Sequence, residues 1–278
     1  MGNALEEYNA GRLQVAGGVS HSGEPTLGLC IKSLHQMQGN LVGMKLASGL
    51  RPMCASFNAC LDFAVDMKAD ILFHTASDVI VDPRALQALL AEMDLEENYL
   101  TVARGYDPMF GEGTSVGIWI WNMRIMKANY RFRDVFKQDL DLCARVEAAT
   151  GKTRTYTSKD VQLGYHHPIW TPFEVYAKFV YSYPKYGQRR QQDMRNFLSD
   201  GLERNPANKA LQAGQIGLDR AIKDGIQESS KNLTSINDQF VADTSSLHLD
   251  GTDYYCLHSQ FVPYAMRVLG SFKHCHAI

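Results

Sequence analysis

Apolar residues fall in short clusters along the first 170 positions, and the spacing inside each cluster names its element. Leu13, Val15, Ala16 and Val19 form a compact apolar run that breaks at His21-Ser22-Gly23-Glu24-Pro25, as a buried strand does, whereas Leu27, Cys30, Ile31 and Leu34 recur at three and four residues, as one face of a helix does. The same reading predicts strands at 13–20, 41–46 and 71–74 and helices at 26–37, 55–67 and 83–93, the last opened by Pro83 in its first turn. Alternating strand and helix is the pattern of a parallel sheet with helices on both faces. The order then becomes mixed, with strands at 99–103 and 116–121 on either side of a Gly-rich loop, 105–113. The expected class is therefore α/β, a Rossmann-like mixed sheet flanked by helices. From Pro172 onward the chain turns polar and amphipathic at helical spacing, which divides it into an α/β domain, 1–170, and a mainly helical region, 171–278, standing as a packed extension or as a domain of its own.

Composition narrows the setting. A chain of 278 residues with 45% hydrophobic positions can bury a sizeable core, and a formal charge of −2 gives no whole-chain attraction to nucleic acid, so no nucleic-acid partner is expected. Six cysteines, at 30, 54, 60, 143, 256 and 275, lack short paired spacings and read as reduced thiols rather than as a disulfide framework. The start, Met1-Gly2-Asn3-Ala4-Leu5-Glu6-Glu7, lacks the layout of a signal peptide, and no apolar run is long enough to span a bilayer. A cytoplasmic location, extending to the inner membrane surface, is the expectation. Asn232-Leu233-Thr234 then matches a glycosylation acceptor only by accident.

Two acidic segments carry the chemistry. Phe73-His74-Thr75-Ala76-Ser77-Asp78-Val79-Ile80-Val81-Asp82-Pro83 ends an apolar run in a loop whose carboxylates could hold a divalent cation, although Asp78 and Asp82 could equally solvate a turn and cap the following helix. Gln138-Asp139-Leu140-Asp141-Leu142-Cys143-Ala144-Arg145 opens a helix whose apolar face is Leu142, Val146 and Ala149. Asp139 there could take a proton from an attacking hydroxyl, or could simply cap the helix. Tyr165-His166-His167-Pro168 adds two imidazoles, either ligands or a structural turn. Cys256-Leu257-His258 and His274-Cys275-His276 offer soft donors at spacings that match no standard zinc module.

Taken in order, these segments resemble the GT-A fold glycosyltransferases of the large inverting family that includes many bacterial polysaccharide enzymes. The resemblance runs over about residues 13–170. It rests on the opening strand with Ser20-His21-Ser22-Gly23-Glu24-Pro25, the Ser33-Leu34 pair, the helix Ala55-Ser56-Phe57-Asn58-Ala59-Cys60, the loop 75–83, and Gln138 to Arg145 in place of a Glu-Asp-x-Asp-Leu-x-x-Arg signature. It implies transfer of a sugar from a nucleoside diphosphate sugar to a glycan or glycolipid hydroxyl, with inversion, and with Mn2+ or Mg2+ as cofactor. Asp139 would be the catalytic base. Ser20, Ser22, Glu24, Asn58, Ser77 and Asp78 would bind the donor, and Trp119, Trp121 and Asp141 the acceptor. Asp78, His166 and His167 would hold the metal.

Two positions depart from the pattern. Ala76 stands where the Asp-x-Asp loop of this family has its first carboxylate, and Gln138 replaces the signature glutamate. A nucleotidyltransferase is an alternative, weakened by the single glycine and the acid in Ser20-His21-Ser22-Gly23-Glu24, and a nucleotide-sugar-binding module that has lost catalysis is another. The run Lys178, Tyr181, Tyr183, Lys185, Tyr186, Arg189 and Arg190 suits an anionic acceptor, a membrane surface or an ordinary solvated face.

Overall fold

The computed structural model describes residues 4–126, 129–135, 137–224 and 233–249, together with Tyr264, Met266, Val268 and Leu269. Asn232 and the Cys256, His258, His274, Cys275 and His276 cluster lie outside them.

A short helix, α1 (Ala4–Asn9), precedes the first βαβ run: β1 (Val15–His21), α2 (Leu27–Leu34), β2 (Gly43–Ser48), α3 (Met53–Asp66) and β3 (Ile71–Ala76). Then come β4 (Val79–Val81), α4 (Ala85–Glu92), the long strands β5 (Asn98–Asp107) and β6 (Gly111–Asn122), and α5 (Met123–Met126). Helix α6 (Gln138–Thr150), β7 (Thr153–Tyr156) and β8 (Gly164–His166) complete the α/β part, and α7 (Pro172–Ser182), α8 (Gln188–Arg204), α9 (Lys209–Asp224) and α10 (Leu233–Asp243) follow. The strands form one sheet in the order β2-β1-β3-β6-β5-β8-β4, with β7 added to β5. β1 runs parallel to β2 and β3, while β6 is antiparallel to both β3 and β5. The expected mixed α/β sheet flanked by helices is what forms.

The two-residue period of the strands builds two cores. Ile71 and Phe73 face the layer of Cys30, Leu34, Leu86, Leu89 and Leu90 from α2 and α4, whereas Leu72 faces Phe57, Cys60, Leu61, Leu142 and Val146 from α3 and α6. Cys30, Cys54, Cys60 and Cys143 are buried free thiols, as the cysteine spacing led one to expect.

Two features differ from the sequence reading. The segment after Asp78 is a strand rather than only a loop, because Val79, Ile80 and Val81 are all buried and pair with β8. The expected 105–113 loop is largely β-hairpin, with Arg104 opposite Ser115 and Asp107 opposite Gly111. Gly105 lies inside it because a Cβ there would come within 2.3 Å of the Gly164 carbonyl oxygen, so its glycine lets β8 approach β5.

The helical region packs on the hairpin: Val175 and Phe179 of α7 share a core with Met194, Leu198, Leu211 and Leu218 and with Met109 and Trp170. Helices α7 and α9 meet closely, and a Cβ on Gly217 would sit 2.7 Å from the Tyr176 carbonyl oxygen. Among the described residues no helix is long and apolar enough to cross a membrane.

Candidate active site

Strand pairing brings Asp78 to the two histidines. Val79 is opposite His166 in the β4–β8 ladder, and the His167 amide donates to the Asp78 carbonyl at 2.8 Å. Successive side chains of a strand ordinarily point to opposite faces. Here His167 leaves β8 in the left-handed region, at φ 48, and the two imidazoles end with ring centroids 3.9 Å apart. Asp78 Oδ2 then lies 3.4 Å from His166 Nε2 and 3.3 Å from His167 Nδ1.

These residues fit a divalent cation. Donor atoms about 2.1 Å from such an ion sit roughly 3.0 to 3.4 Å apart at octahedral or tetrahedral angles, and the three ligand atoms all lie within 4.8 Å of one another. The second oxygen, Asp78 Oδ1, is buried with no hydrogen-bond partner. A buried carboxylate oxygen left unpaired is costly, and a cation or a ligand hydroxyl would relieve it.

Charge is arranged around the triad. His166 Nδ1 donates to Asp107 Oδ2 at 2.7 Å, so the ring is held between two carboxylates. Burial works against a charged His166, but Asp78 and Asp107 overcome it and push the imidazole up to about 9. Burial, the His166 charge and Lys178 together keep His167 neutral, well below its ordinary value. Burial also opposes ionisation of Asp78 and Asp107, yet the histidines and Lys178 hold both carboxyls below the usual carboxylate range.

The expected donor loop assembles beside the triad. Glu24 Oε2 accepts from Ser77 Oγ at 2.6 Å and from the Ser22 amide at 2.7 Å, and His21 Nδ1 lies 3.0 Å from Ser77 Oγ. Ser20 is adjacent, with its carbonyl accepting from the Ser77 amide, but its hydroxyl is engaged by the buried His74 at 2.8 Å. Ser22, Glu24, Ser77 and Asp78 therefore form one continuous rim at the ends of β1 and β3.

Helix α7 runs from this rim toward Asp139. Thr171 and Glu174 close a capping box at its start, and the Asp78 and Glu24 charges reach Glu174. Lys178, one turn on, places Nζ 3.1 Å from His167 Nε2. Tyr181, the next turn of the same stripe, is raised to about 12 by burial and then by the Asp139 charge. Asp139 is exposed in the first turn of α6 and makes no hydrogen bond or ion pair among the described residues. It is not the helix cap: Lys137 holds that position in a left-handed conformation without a side-chain cap bond.

Other expected ligands are otherwise employed. Asn58 gives both ends of its amide to the Phe132 backbone, at 2.9 and 2.8 Å, and fixes the loop before α6 instead of facing the donor rim. Trp121 is 2% exposed between Tyr99 and Phe132, so its ring offers no face to a sugar. Trp119 is half-buried against His74 and Phe57, and Asp141 pairs with Arg145 at 2.9 Å on α6. Within the basic run, Lys178 faces the triad, Lys185 covers the Tyr181 ring, and Arg190 lies over Phe110 and Tyr186. Asp107 and His21 were not singled out as ligands from sequence. The signal for Asp107 was its Asp-Pro turn, in which Oδ1 accepts the Met109 amide at 2.8 Å.

No family model and no curated protein matches the chain. Among solved structures, the mannosyltransferase PcManGT from Pyrobaculum calidifontis, in complex with GDP-Man and Mn2+, aligns at 11% identity over 92% of this chain and 84% of that one, with a TM-score of 0.45. TarS 1–349 of S. aureus in complex with UDP-GlcNAc aligns at 13% identity over 93% of this chain and 80% of that one, with a TM-score of 0.40. The inositol-1-phosphate CTP transferase of T. maritima aligns at 12% identity over 55% and 89%, with a TM-score of 0.34. Scores below 0.5 leave the functional reading to the site itself.

Proposed function

We propose that the chain is a glycosyltransferase that moves a sugar from a nucleoside diphosphate sugar to a hydroxyl of a glycan or glycolipid, with inversion. One observation carries this reading: one face of α7 sets Lys178 3.1 Å from His167 Nε2, beside the Asp78/His166/His167 triad, and Tyr181 within the field of Asp139, a carboxylate with no partner among the described residues. Lys178 and Tyr181 are three residues apart, about 4.5 Å along a helix axis.

In this reading the Ser22, Glu24 and Ser77 rim holds the donor. Asp139 takes the proton from the acceptor hydroxyl as its oxygen bonds to the anomeric carbon, and the bond from that carbon to the diphosphate breaks with its electron pair leaving on the phosphate oxygen. The inverted product follows from attack opposite the leaving group. Asp78, His166 and His167 would hold a divalent cation, Mn2+ in preference to Mg2+, which when bound supplies positive charge to the departing diphosphate. The imidazoles take the place of the carboxylate that Ala76 lacks.

A panel of nucleoside diphosphate sugars assayed for hydrolysis and transfer with Mn2+ tests the proposal. Asp139→Asn is expected to retain Mn2+ and nucleotide binding and to lower turnover by roughly two orders of magnitude, the scale of general-base loss. Unchanged transfer by this variant would remove Asp139 from the mechanism. Full activity in excess chelator would remove the cation.

A further inference from the structure

We propose that Lys178 is the ammonium that binds the donor's diphosphate, and that His167 withholds it until a divalent cation occupies the triad. The inference rests on the cation and diphosphate reading above and adds to it the residue that couples the two ligands.

A lysine ammonium has three donors and no acceptor, so at 3.1 Å from His167 Nε2 it must donate, and Nε2 must be the acceptor. The ring hydrogen then lies on Nδ1, the nitrogen 3.3 Å from Asp78 Oδ2. That arrangement suits the cation-free triad and is incompatible with the loaded one. For His167 to hold a cation through Nδ1, the hydrogen must sit on Nε2, where it would confront the ammonium donor to donor. Lys178 neither gains nor loses a proton in this change; it loses its acceptor.

The displaced ammonium has few alternatives. Among the described residues Lys178 makes no ion pair with a carboxylate, although Asp78 and Asp107 both feel its charge. Its side chain is half-buried on the α7 stripe between Glu174 and Tyr181. The ligand whose oxygens belong beside a dication at this rim is a diphosphate, and an ammonium on a flexible stem is a suitable point charge for it. Cation and diphosphate thus bind with positive coupling, each favouring the same released position of Lys178.

The test uses the full chain and two ligands, Mn2+ and inorganic pyrophosphate. Mn2+ affinity is measured calorimetrically without pyrophosphate, and pyrophosphate affinity at saturating Mn2+, for the wild type, Lys178→Met, Lys178→Gln and Lys178→Arg. Lys178→Met and Lys178→Gln are expected to bind Mn2+ at least as tightly as the wild type while losing about tenfold in pyrophosphate affinity, the scale of a charge-assisted contact. Lys178→Arg should recover most of the pyrophosphate affinity. If both affinities fall together in Met and Gln, Lys178 is a structural support and the inference is wrong; unchanged pyrophosphate affinity overturns it too. A wild type that binds neither Mn2+ nor pyrophosphate overturns the transferase reading as well, a result distinct from either of these.

Discussion

Asp107→Asn isolates the contribution of a carboxylate that would not touch the cation. In the wild type its Oδ1 accepts the Met109 and Phe110 amides, at 2.8 and 3.2 Å, and its Oδ2 accepts from His166 Nδ1 at 2.7 Å. Asparagine keeps one oxygen, and two converging amide donors require that oxygen to stay with the turn. Its NH2 group must then face His166 Nδ1, which becomes an acceptor, so the ring gives up its charge and keeps its one hydrogen on Nε2, 3.4 Å from Asp78 Oδ2. The lone pair a cation needs is thereby removed, at the cost of one buried contact and with the hairpin turn intact. Loss of the partner that orients a metal-bound histidine typically costs ten- to a hundredfold in affinity, or about 1.4 to 2.7 kcal/mol. Calorimetric titration with Mn2+ reads the change directly, and a thermal melt without metal checks the fold. An Asp107→Asn protein that folds and binds Mn2+ as tightly as the wild type would refute the claim that Asp107 sets the His166 tautomer.

Three further outcomes follow from the same structure. With two imidazoles and one carboxylate, the triad should bind Co2+ and Zn2+ more tightly than Mn2+ and Mg2+ least of all; a thermal-shift series with these ions checks the order, and saturation at about a hundred times the dissociation constant should add ~2.7 kcal/mol of stability. Glu174 is raised to about 7, by burial first and then by the Asp78 and Glu24 charges, so its folded form holds a proton more tightly than the unfolded chain does. Its stabilising contribution is complete below the ordinary carboxyl range and is lost as pH rises through about 7; Glu174→Gln, which keeps the Thr171 cap, should therefore gain on the wild type in melting temperature between pH 5 and pH 8, and parallel curves would count against this. Gly217→Ala would set a methyl 2.7 Å from the Tyr176 carbonyl oxygen, a backbone atom that cannot rotate away; denaturant unfolding should show a loss of roughly 1–3 kcal/mol, the cost of overpacking.

What could be read from the sequence follows from how much of each element's cause is local. The amphipathic spacing of Leu27, Cys30, Ile31 and Leu34 produced a helix close to its expected place, and α6 ends where Gly151 takes the left-handed φ of 67 that favours glycine. Strands β4 and β8, three residues each, are too short to display a period, and they exist because they pair with each other across the chain. The site shows the same limit. Asp78, His166 and His167 were identifiable by residue type, and the structure brings them together. The left-handed turn at His167 that puts both rings on one side has no signal in His-His-Pro. Asp107 depends on the register that sets Tyr106 against Tyr165, a pairing invisible along the chain. Asn58 had the residue type of a ligand but is spent on the Phe132 backbone, a partner 74 positions away.

The placement of α7 bears on how this protein can be divided. A helical appendage is readily imagined as an exchangeable module, traded between relatives to change what a constant catalytic half acts upon. Here that helix brings Glu174 and Lys178 into the electrostatic surroundings of the acidic centre and Tyr181 into those of Asp139, so the cut at residue 170 passes through the site's own charge arrangement. A chimera joined there would inherit a new acceptor surface and a rewired centre in the same step, and any change in its specificity would be inseparable from a change in its chemistry. A junction after Ser182, which leaves the stripe with the strands it serves, is the one that would keep the two properties apart.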